Sequence, residues 1–209
     1  LVLVPSYLVR TSTEFNKRSE WSNQVLGETD EEENEQIVIT DVTKAEVQAD
    51  LSSSDLHFLG ADMGLLCAVS IGRLDNTGNL IIVHREMVPV SVFEKRRLEL
   101  MRLYKVVASV HDVYPYTTDV MRICDNDQHA YGAVFSTSKT PEMFTLQEKT
   151  ENAEAGRLNL RLLKVNRTRV LDELRDRFKA GTVIMQKQDD TDRYQDHYTS
   201  LKRVQVFEK

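Results

Sequence analysis

The sequence predicts an α/β domain in which a mixed β-sheet is flanked by helices. Stretches typical of buried strands alternate along the chain with stretches whose apolar residues recur at helical spacing. A hairpin comes first and the later strands are separated by helices, an order that produces a mixed sheet. With 209 residues and a hydrophobic fraction of 41%, the chain is long enough for one domain with a substantial core.

The elements before residue 56 are predicted from short patterns. Phe15 to Leu26 fits a helix that ends at Gly27, and an acidic, solvated linker follows from Glu28. Gln36 to Thr40 is predicted as a short strand and Thr43 to Leu51 as a helix.

The predicted sheet begins with Leu56 to Arg73, which has the composition of a buried strand. The turn signal Asp75-Asn76-Thr77-Gly78-Asn79 leads to the strand Leu80 to His84, so the two strands form a hairpin. Val92 to Tyr104 has helical spacing, and Lys105 to Asp112 is a second buried-type strand.

The C-terminal half continues the alternation of helices and strands. We predict helices over Thr117 to Cys124, from a cap at Asn166 or Thr168 to Gly181, and over Asp192 to Val204. Strands are predicted over Ala133 to Thr137 and Thr182 to Met185, and a mobile loop over Glu148 to Arg157.

Composition excludes several classes of protein. No apolar run approaches the roughly 18 residues of a membrane span. Cys67 and Cys124 are expected to be reduced core thiols, and the five histidines lack the spacing of zinc ligands. The net charge of −6 weighs mildly against a dedicated nucleic-acid binder, but acids concentrate in residues 28–50 and bases in residues 157–179. The chain begins without methionine, and we expect it to be a piece of a larger protein.

Two carboxylates lie in or at the end of apolar stretches. Asp62 interrupts the run His57 to Ile71, and Asp112 ends the second buried-type strand. Desolvating a carboxylate is costly unless a cation or hydrogen bonds compensate, so either residue caps a turn or it serves a site. Because central strands end at a common rim of such a sheet, the two side chains could meet there.

Neighbouring carboxylates are typical of divalent-metal sites. Mg²⁺ prefers oxygen ligands and keeps waters and substrate phosphates in its coordination shell. Two such ions can activate water and stabilise the leaving oxygen in phosphodiester cleavage. This chemistry needs at least two carboxylates, normally three, and the sequence supplies them.

These residues resemble a known family. Gly60-Ala61-Asp62-Met63-Gly64 and Val110-His111-Asp112-Val113-Tyr114-Pro115-Tyr116 are similar to motifs of the ribonuclease H-like nuclease domain of tailed-bacteriophage terminase large subunits. The helix Asn166 to Leu174 followed by Gly181-Thr182-Val183-Ile184, and the segment Phe15 to Gly27, also resemble that family.

The resemblance implies a ribonuclease H-like mixed β-sheet flanked by helices and a Mg²⁺- or Mn²⁺-dependent endonuclease that cuts concatemeric viral DNA during genome packaging, using two divalent ions. Asp62 would bridge both metal ions and Asp112 would bind one. The third carboxylate is either Asp196 or a residue beyond Lys209, because Leu201-Lys202-Arg203-Val204 resembles the segment that precedes the family's third ligand.

The implied surroundings are those of a packaging motor in the host cytoplasm. Expected partners are double-stranded DNA, the terminase ATPase domain, the small terminase subunit and the portal, with no membrane. Residues 1–55 would be the last part of the region that joins the ATPase domain to the nuclease domain. Residues 56–209 would form the nuclease domain, which would be truncated if the third ligand lies beyond Lys209.

Two basic stretches are candidates for binding DNA phosphates. The stronger candidate has few acidic neighbours, and we call it the basic track; it comprises Arg157, Arg161, Lys164, Arg167 and Arg169. The cluster Lys95-Arg96-Arg97 with Arg102 either contacts phosphates or forms a solvated helix face. His111 either assists proton transfer or alternates to the other face of the sheet.

Two other functional classes remain open. A catalytically silent ribonuclease H-like module could serve as an assembly or docking platform. An actin-like ATPase fold would need a second glycine-rich phosphate hairpin, and none of the 8 glycines is arranged in that way. No GxxxxGK[ST] phosphate loop occurs either.

Overall fold

The computed structural model describes residues 37–51, 53, 55–136, 142–153 and 156–188, with the backbone alone at 136, 148–153 and 156–160. The elements in chain order are α1 (Ile39–Ala45), β1 (Glu46–Val47), β2 (His57–Asp62), β3 (Leu66–Leu74), β4 (Leu80–Pro89), a 3₁₀ turn (Val90–Val92), α2 (Phe93–Leu103), β5 (Val106–Asp112), α3 (Thr117–Asn126), β6 (Ala130–Ser136), β7 (Phe144–Ala153), β8 (Gly156–Asn166), α4 (Arg167–Lys179) and β9 (Val183–Gln186).

One mixed sheet joins all the described strands, in the order β1-β9-β4-β3-β2-β5-β6-β8-β7. Strands β2, β3 and β4 are antiparallel neighbours, whereas β5, β6 and β8 run parallel to β2. The carboxyl ends of β2, β5, β6 and β8 therefore lie at one rim of the sheet, which we call the carboxyl rim. The predicted α/β class, with a mixed sheet flanked by helices as the ribonuclease H-like resemblance implies, is confirmed.

Helices cover the two faces of the sheet differently. Helices α2 and α3 pack on one face, where Phe93, Leu100 and Ile123 join the strand residues Leu59 and Ile71 in the larger core cluster. Helices α1 and α4 pack on the other face. There Val42 and Phe178 join Ala68, Ile82 and Met185 in a second cluster. Alternate strand residues face α2 and α4, as the pleat requires.

Several predicted elements are confirmed with small shifts in their ends. These are the helices α2, α3 and α4, the strands β5, β6 and β9, and the turn that joins β3 to β4. The Asn166 side chain caps α4 by accepting a hydrogen bond from the Arg169 backbone N–H. Gly181 follows that helix with φ of 68°, the left-handed conformation that glycine adopts without strain.

The single strand predicted over Leu56 to Arg73 is wrong: the chain reverses at residues 63–65, so this stretch forms the antiparallel strands β2 and β3. Strand β4 extends to Pro89, beyond the predicted end at His84.

The prediction of a strand over Gln36 to Thr40 and a helix over Thr43 to Leu51 is wrong. The helix starts at Ile39 and ends at Ala45, where β1 begins. The Asp41 carboxylate accepts from the Val38 backbone N–H and from Lys179 Nζ of α4, at 3.2 and 2.7 Å. Capping and docking on α4 thus outweigh the strand propensity of the β-branched residues.

A loop predicted over Glu148 to Arg157 is also wrong, because β7 and β8 form a long antiparallel hairpin there. Only the residues from Gly132 to Ser136 of β6 pair with β8, so the backbone of the hairpin extends beyond β6 at its tip. The sequence alternation Leu158, Leu160, Leu162 is the signal that could have indicated this strand.

Residues 37–47 are part of the same sheet, because β1 pairs in parallel with β9. A buried ion pair secures β1: Arg85 Nη2 of β4 donates to Glu46 Oε1 at 2.9 Å. The predicted helices over Phe15 to Leu26 and Asp192 to Val204 lie outside the described residues. Among the described helices, none has the length and apolar character needed to cross a membrane.

Candidate metal and nucleic-acid site

Asp62 is the last residue of β2 and points away from the larger core. Strand β2 alternates strictly, with His57, Leu59 and Ala61 buried and the residues between them exposed. Asp62 therefore lies on the α4 face, at the carboxyl rim. A Cβ atom built on Gly60, two residues earlier on that face, would meet nothing within 4 Å, so the surface leading to Asp62 is open.

Asp112 ends β5, the parallel neighbour of β2. Ala61 pairs with His111, which places Asp62 and Asp112 one residue further along adjacent strands. His111 contacts Phe93 of α2, with ring centroids 5.7 Å apart, so Asp112 points to the opposite, α4 face. The structure thus brings the two predicted carboxylates together, side by side on one face at the carboxyl rim.

The electrostatics of Asp112 reflect this arrangement. Burial raises the pKa of its carboxyl above the ordinary value, and the negative charge of Asp62 raises it further. The Tyr114 backbone N–H, which donates to Asp112 Oδ1 at 3.2 Å, and the positive charge of Arg167 lower the pKa and offset part of the rise. A divalent cation between the carboxylates would remove their repulsion.

The carboxylates of Asp62 and Asp112 supply some of the oxygen ligands that a divalent cation needs. Two carboxylates are the hard ligands that Mg²⁺ and Mn²⁺ take, and water and phosphate can complete the shell. Within the described residues, no group of three or more His, Cys, Asp or Glu side chains is placed to hold a metal. Asp196, the predicted third ligand, lies outside the described residues, and its role stays a prediction.

His111 is not part of this site. Its ring is fully buried on the α2 face, where Nε2 lies 3.0 Å from Ser109 Oγ. Burial lowers the pKa of His111 to about 3, and the nearby Arg97 charge contributes to the fall. The imidazole is therefore neutral at pH 7, and the alternation to the other face, one of the two alternatives from the sequence, is confirmed.

The predicted basic track separates into residues with different surroundings. Arg161 donates to the carbonyl oxygens of Cys124, Asp127 and Ala130 at 2.6, 2.6 and 3.3 Å, which caps the end of α3. These bonds occupy its guanidinium group. Lys164 and Arg169 are exposed.

Arg167 and Arg157 complete the track. Arg167 lies over the Phe135 ring, with its guanidinium carbon 5.9 Å from the ring centroid. Arg157 is in the part of β8 where the backbone alone is described, so its contact with DNA stays a prediction. Sequence reasoning missed Phe135, because one phenylalanine in a strand gives no signal of its partner.

In the other basic cluster, Lys95-Arg96-Arg97 with Arg102, two of the arginines form ion pairs. Arg97 is buried and donates to Asp127 Oδ2 at 2.8 Å and to Ser109 Oγ at 3.1 Å. Arg96 forms a bidentate pair with Glu86 at 2.7 and 2.8 Å. The sequence left two alternatives for this cluster, contact with phosphates or a solvated helix face. Neither describes Arg96 and Arg97, whose ion pairs connect α2 to the rest of the fold.

Both cysteines fit the prediction of core thiols. Cys67 and Cys124 are buried and carry free thiols. Burial raises the pKa of both, that of Cys124 to about 11, so neither is a nucleophile at pH 7.

Comparisons with known proteins give a structural match and no sequence match. No family model and no curated protein matches the chain. The structure is similar to that of a large terminase from a thermophilic bacteriophage, with 9% sequence identity and a TM-score of 0.42. The match covers 88% of this chain and 41% of that terminase, so the chain spans less than half the length of that protein.

Proposed function

We propose that this chain is the nuclease part of a DNA-packaging protein and that it hydrolyses DNA phosphodiesters with Mg²⁺ or Mn²⁺. One observation carries the proposal: Asp62 and Asp112 end adjacent parallel strands on one open face. Two carboxylates held side by side repel each other, and such a pair is retained at a rim when a cation uses it. The resemblance of both motifs to terminase nucleases supports the choice of DNA as substrate.

In the proposed site, the two carboxylates hold the metal, and a backbone N–H holds Asp112 in place. Asp62 and Asp112 would bind the cation, with water, a DNA phosphate and a third carboxylate completing its shell. When bound, a metal pair supplies an activated water and stabilises the leaving oxygen. The Tyr114 N–H fixes one oxygen of Asp112, and the open surface at Gly60 leaves room for a strand of DNA.

The proposed partners follow from the same resemblance. They are double-stranded DNA, the terminase ATPase domain, the small terminase subunit and the portal, in the host cytoplasm. The chain's net charge of −6 makes strong independent DNA binding unfavourable, so the motor would deliver the DNA.

A nicking assay on supercoiled plasmid tests the proposal. Cleavage should require Mg²⁺ or Mn²⁺ and stop with EDTA. Asp62→Asn and Asp112→Asn should each reduce the rate about 100-fold or more, because several kcal/mol of transition-state stabilisation are lost. Asp125→Asn, which neutralises an exposed carboxylate on α3, is the matched control and should cleave normally.

Three outcomes would contradict the assignment. Full activity in a folded Asp62→Asn variant would remove the carboxylate pair from catalysis. No cleavage under any divalent metal would favour the alternative of a silent docking module, and binding of ATP by the chain would favour the actin-like alternative.

A further inference from the structure

The side chains of Phe135 and Arg167 meet beside the carboxylate pair. Asp112 pairs with Ala133 of β6, and Phe135 lies two residues further along that strand. Because side chains alternate, Phe135 is on the same face as Asp112, one strand away and nearer the carboxyl rim. Arg167 is the first residue of α4, which starts at this rim.

The surface around Phe135 is apolar and exposed. Val165 of β8 pairs with both Phe135 and Phe144, which places these three residues in one row across β6, β8 and β7. Phe135 is 45% exposed and Phe144 63% exposed, and Leu146 on the same face is 49% exposed. An exposed apolar surface therefore extends from the carboxylates across β6, β8 and β7.

Among the described residues, Arg167 acts on the nearby charge of Asp112 but forms no ion pair with an acidic side chain. The other arginines of β8 and α4 whose contacts are known have close hydrogen-bonding partners. Arg161 is bound to three carbonyls, Arg175 pairs with Asp172 and Asp176, and Arg177 pairs with Glu173. The contact of Arg167 is the face of the Phe135 ring. A guanidinium that stacks on a ring keeps the N–H donors of its edge available for a planar or tetrahedral anion.

We propose that Arg167, oriented by Phe135, binds a phosphate of the substrate strand next to the carboxylate pair. This inference rests on the proposed function, because it assumes a nucleic-acid strand at the carboxyl rim. Arg167 brings positive charge close to the two carboxylates, and so offsets the repulsion that a phosphate would meet there. Phe135 acts as a positioning residue, since stacking limits the directions in which the guanidinium can point.

A binding measurement without metal tests this assignment separately from cleavage. The probe is a short fluorescent DNA duplex in EDTA, titrated at a series of NaCl concentrations. Arg167→Ala should weaken binding about tenfold at low salt and reduce the slope of log K against log [NaCl] by about one. Arg102→Ala removes the same charge from the exposed end of α2 on the other face and should change neither quantity.

Two further variants probe the stacked geometry. Arg167→Lys keeps the charge but loses the planar fork, so it should restore the salt slope and only part of the affinity. Phe135→Leu should weaken binding several-fold while the salt slope stays at its wild-type value. With metal, Arg167→Ala should raise KM more than it lowers kcat.

The outcomes separate the two proposals. An unchanged salt slope in Arg167→Ala, an equal loss in Arg102→Ala, or no measurable DNA binding would overturn the phosphate assignment. If Arg167→Ala lowered kcat but left DNA binding unchanged, Arg167 would act through its charge on Asp112, and the phosphate assignment would again be overturned. Arg167-dependent binding without any metal-dependent cleavage would uphold this inference and contradict the nuclease proposal.

Discussion

The carboxylates of Asp62 and Asp112 act as a pair because each ends its strand on the same side of the pleat. A shift of one residue in either strand would send one carboxylate to the buried α2 face, where His111 lies. Burial and the charge of Asp62 together raise the pKa of Asp112, so the pair is costly without a cation. The register of β2 against β5 is therefore the structural basis of the proposed chemistry.

A third carboxylate is expected from the segment after β9. Strand β9 is parallel to β4, which runs in the same direction as β2, so β9 ends on the carboxyl rim. Asp196 follows ten residues after Gln186, the last residue of β9. Asp196→Ala should reduce metal-dependent nicking about as much as Asp62→Asn, with Asp192→Ala as the control from the same segment. Near-normal nicking by Asp196→Ala would place the third ligand beyond Lys209.

Glu86 gives a pH-dependent prediction. Burial raises its pKa, but contacts with His84 and Arg96 outweigh burial and lower the pKa to about 2, from 4.5. Because the folded pKa is depressed, this stabilisation is present above pH 4.5 and is lost as the pH falls towards 2. Glu86→Gln should lower the free energy of unfolding at pH 7 by about 2–3 kcal/mol.

The measurement for Glu86→Gln is urea unfolding between pH 7 and pH 3. The deficit relative to wild type should shrink as the pH falls through this window. Glu99→Gln is the control, since Glu99 also pairs with Arg96, at 3.2 Å, but its side chain is 47% exposed. It should cost less than about 1 kcal/mol. A pH-independent deficit for Glu86→Gln would show that packing, and not the ion pair, is responsible.

At the scale of elements, the β3–β4 hairpin contains an irregularity that fixes its register. The pairing shifts between Ile71 and Gly72, and a Cβ atom on Gly72 would lie 2.7 Å from the Ile81 carbonyl oxygen. Gly72→Ala should destabilise the fold by about 1–3 kcal/mol, because strand backbones must separate. Gly60→Ala is the matched control, in open space, and should leave the unfolding midpoint unchanged or slightly raised. If Gly72→Ala and Gly60→Ala had equal stability in thermal unfolding, the close approach of the two strand backbones at Gly72 would not be needed for stability.

The sequence predicted the elements that have strong periodicity or clear ends. Helix α4 carries the apolar spacing Val170, Leu174, Phe178 and ends before Gly181, and the Asp75 turn has a distinct signature. The Asp75 carboxylate accepts bonds from Thr77 and Asn79, which lower its pKa to about 2. Local chemistry of this kind is visible in the sequence because its partners are neighbours.

Elements that depend on distant contacts were predicted less well. Helix α1 is stabilised by Lys179, which lies 138 residues from Asp41 in the chain, and no local pattern reveals that pairing. The same limit applied to the site. The sequence predicted that Asp62 and Asp112 could meet, because each ends a strand, but it could not assign Arg161 to the α3 cap or Arg167 to Phe135. Those assignments depend on which strands become neighbours.

At the scale of the whole molecule, the two faces of the sheet have different roles. The α2 face is closed by core residues and by the buried Arg97 network, whereas the α4 face is open at Gly60, Asp62 and Phe135. Exposed apolar side chains and paired carboxylates at one rim are unfavourable for stability alone. Their combination is explained if DNA and divalent ions occupy this rim.

The most direct test of the central claim is the position of a bound metal. Crystals soaked in MnCl₂, at a concentration that supports plasmid nicking, should show an anomalous difference peak in contact with both Asp62 and Asp112. The peak should be absent from crystals of Asp112→Asn and present in crystals of the control Asp125→Asn. A chain that nicks DNA with Mn²⁺ but binds the ion elsewhere, or with only one of the two carboxylates, would contradict the account.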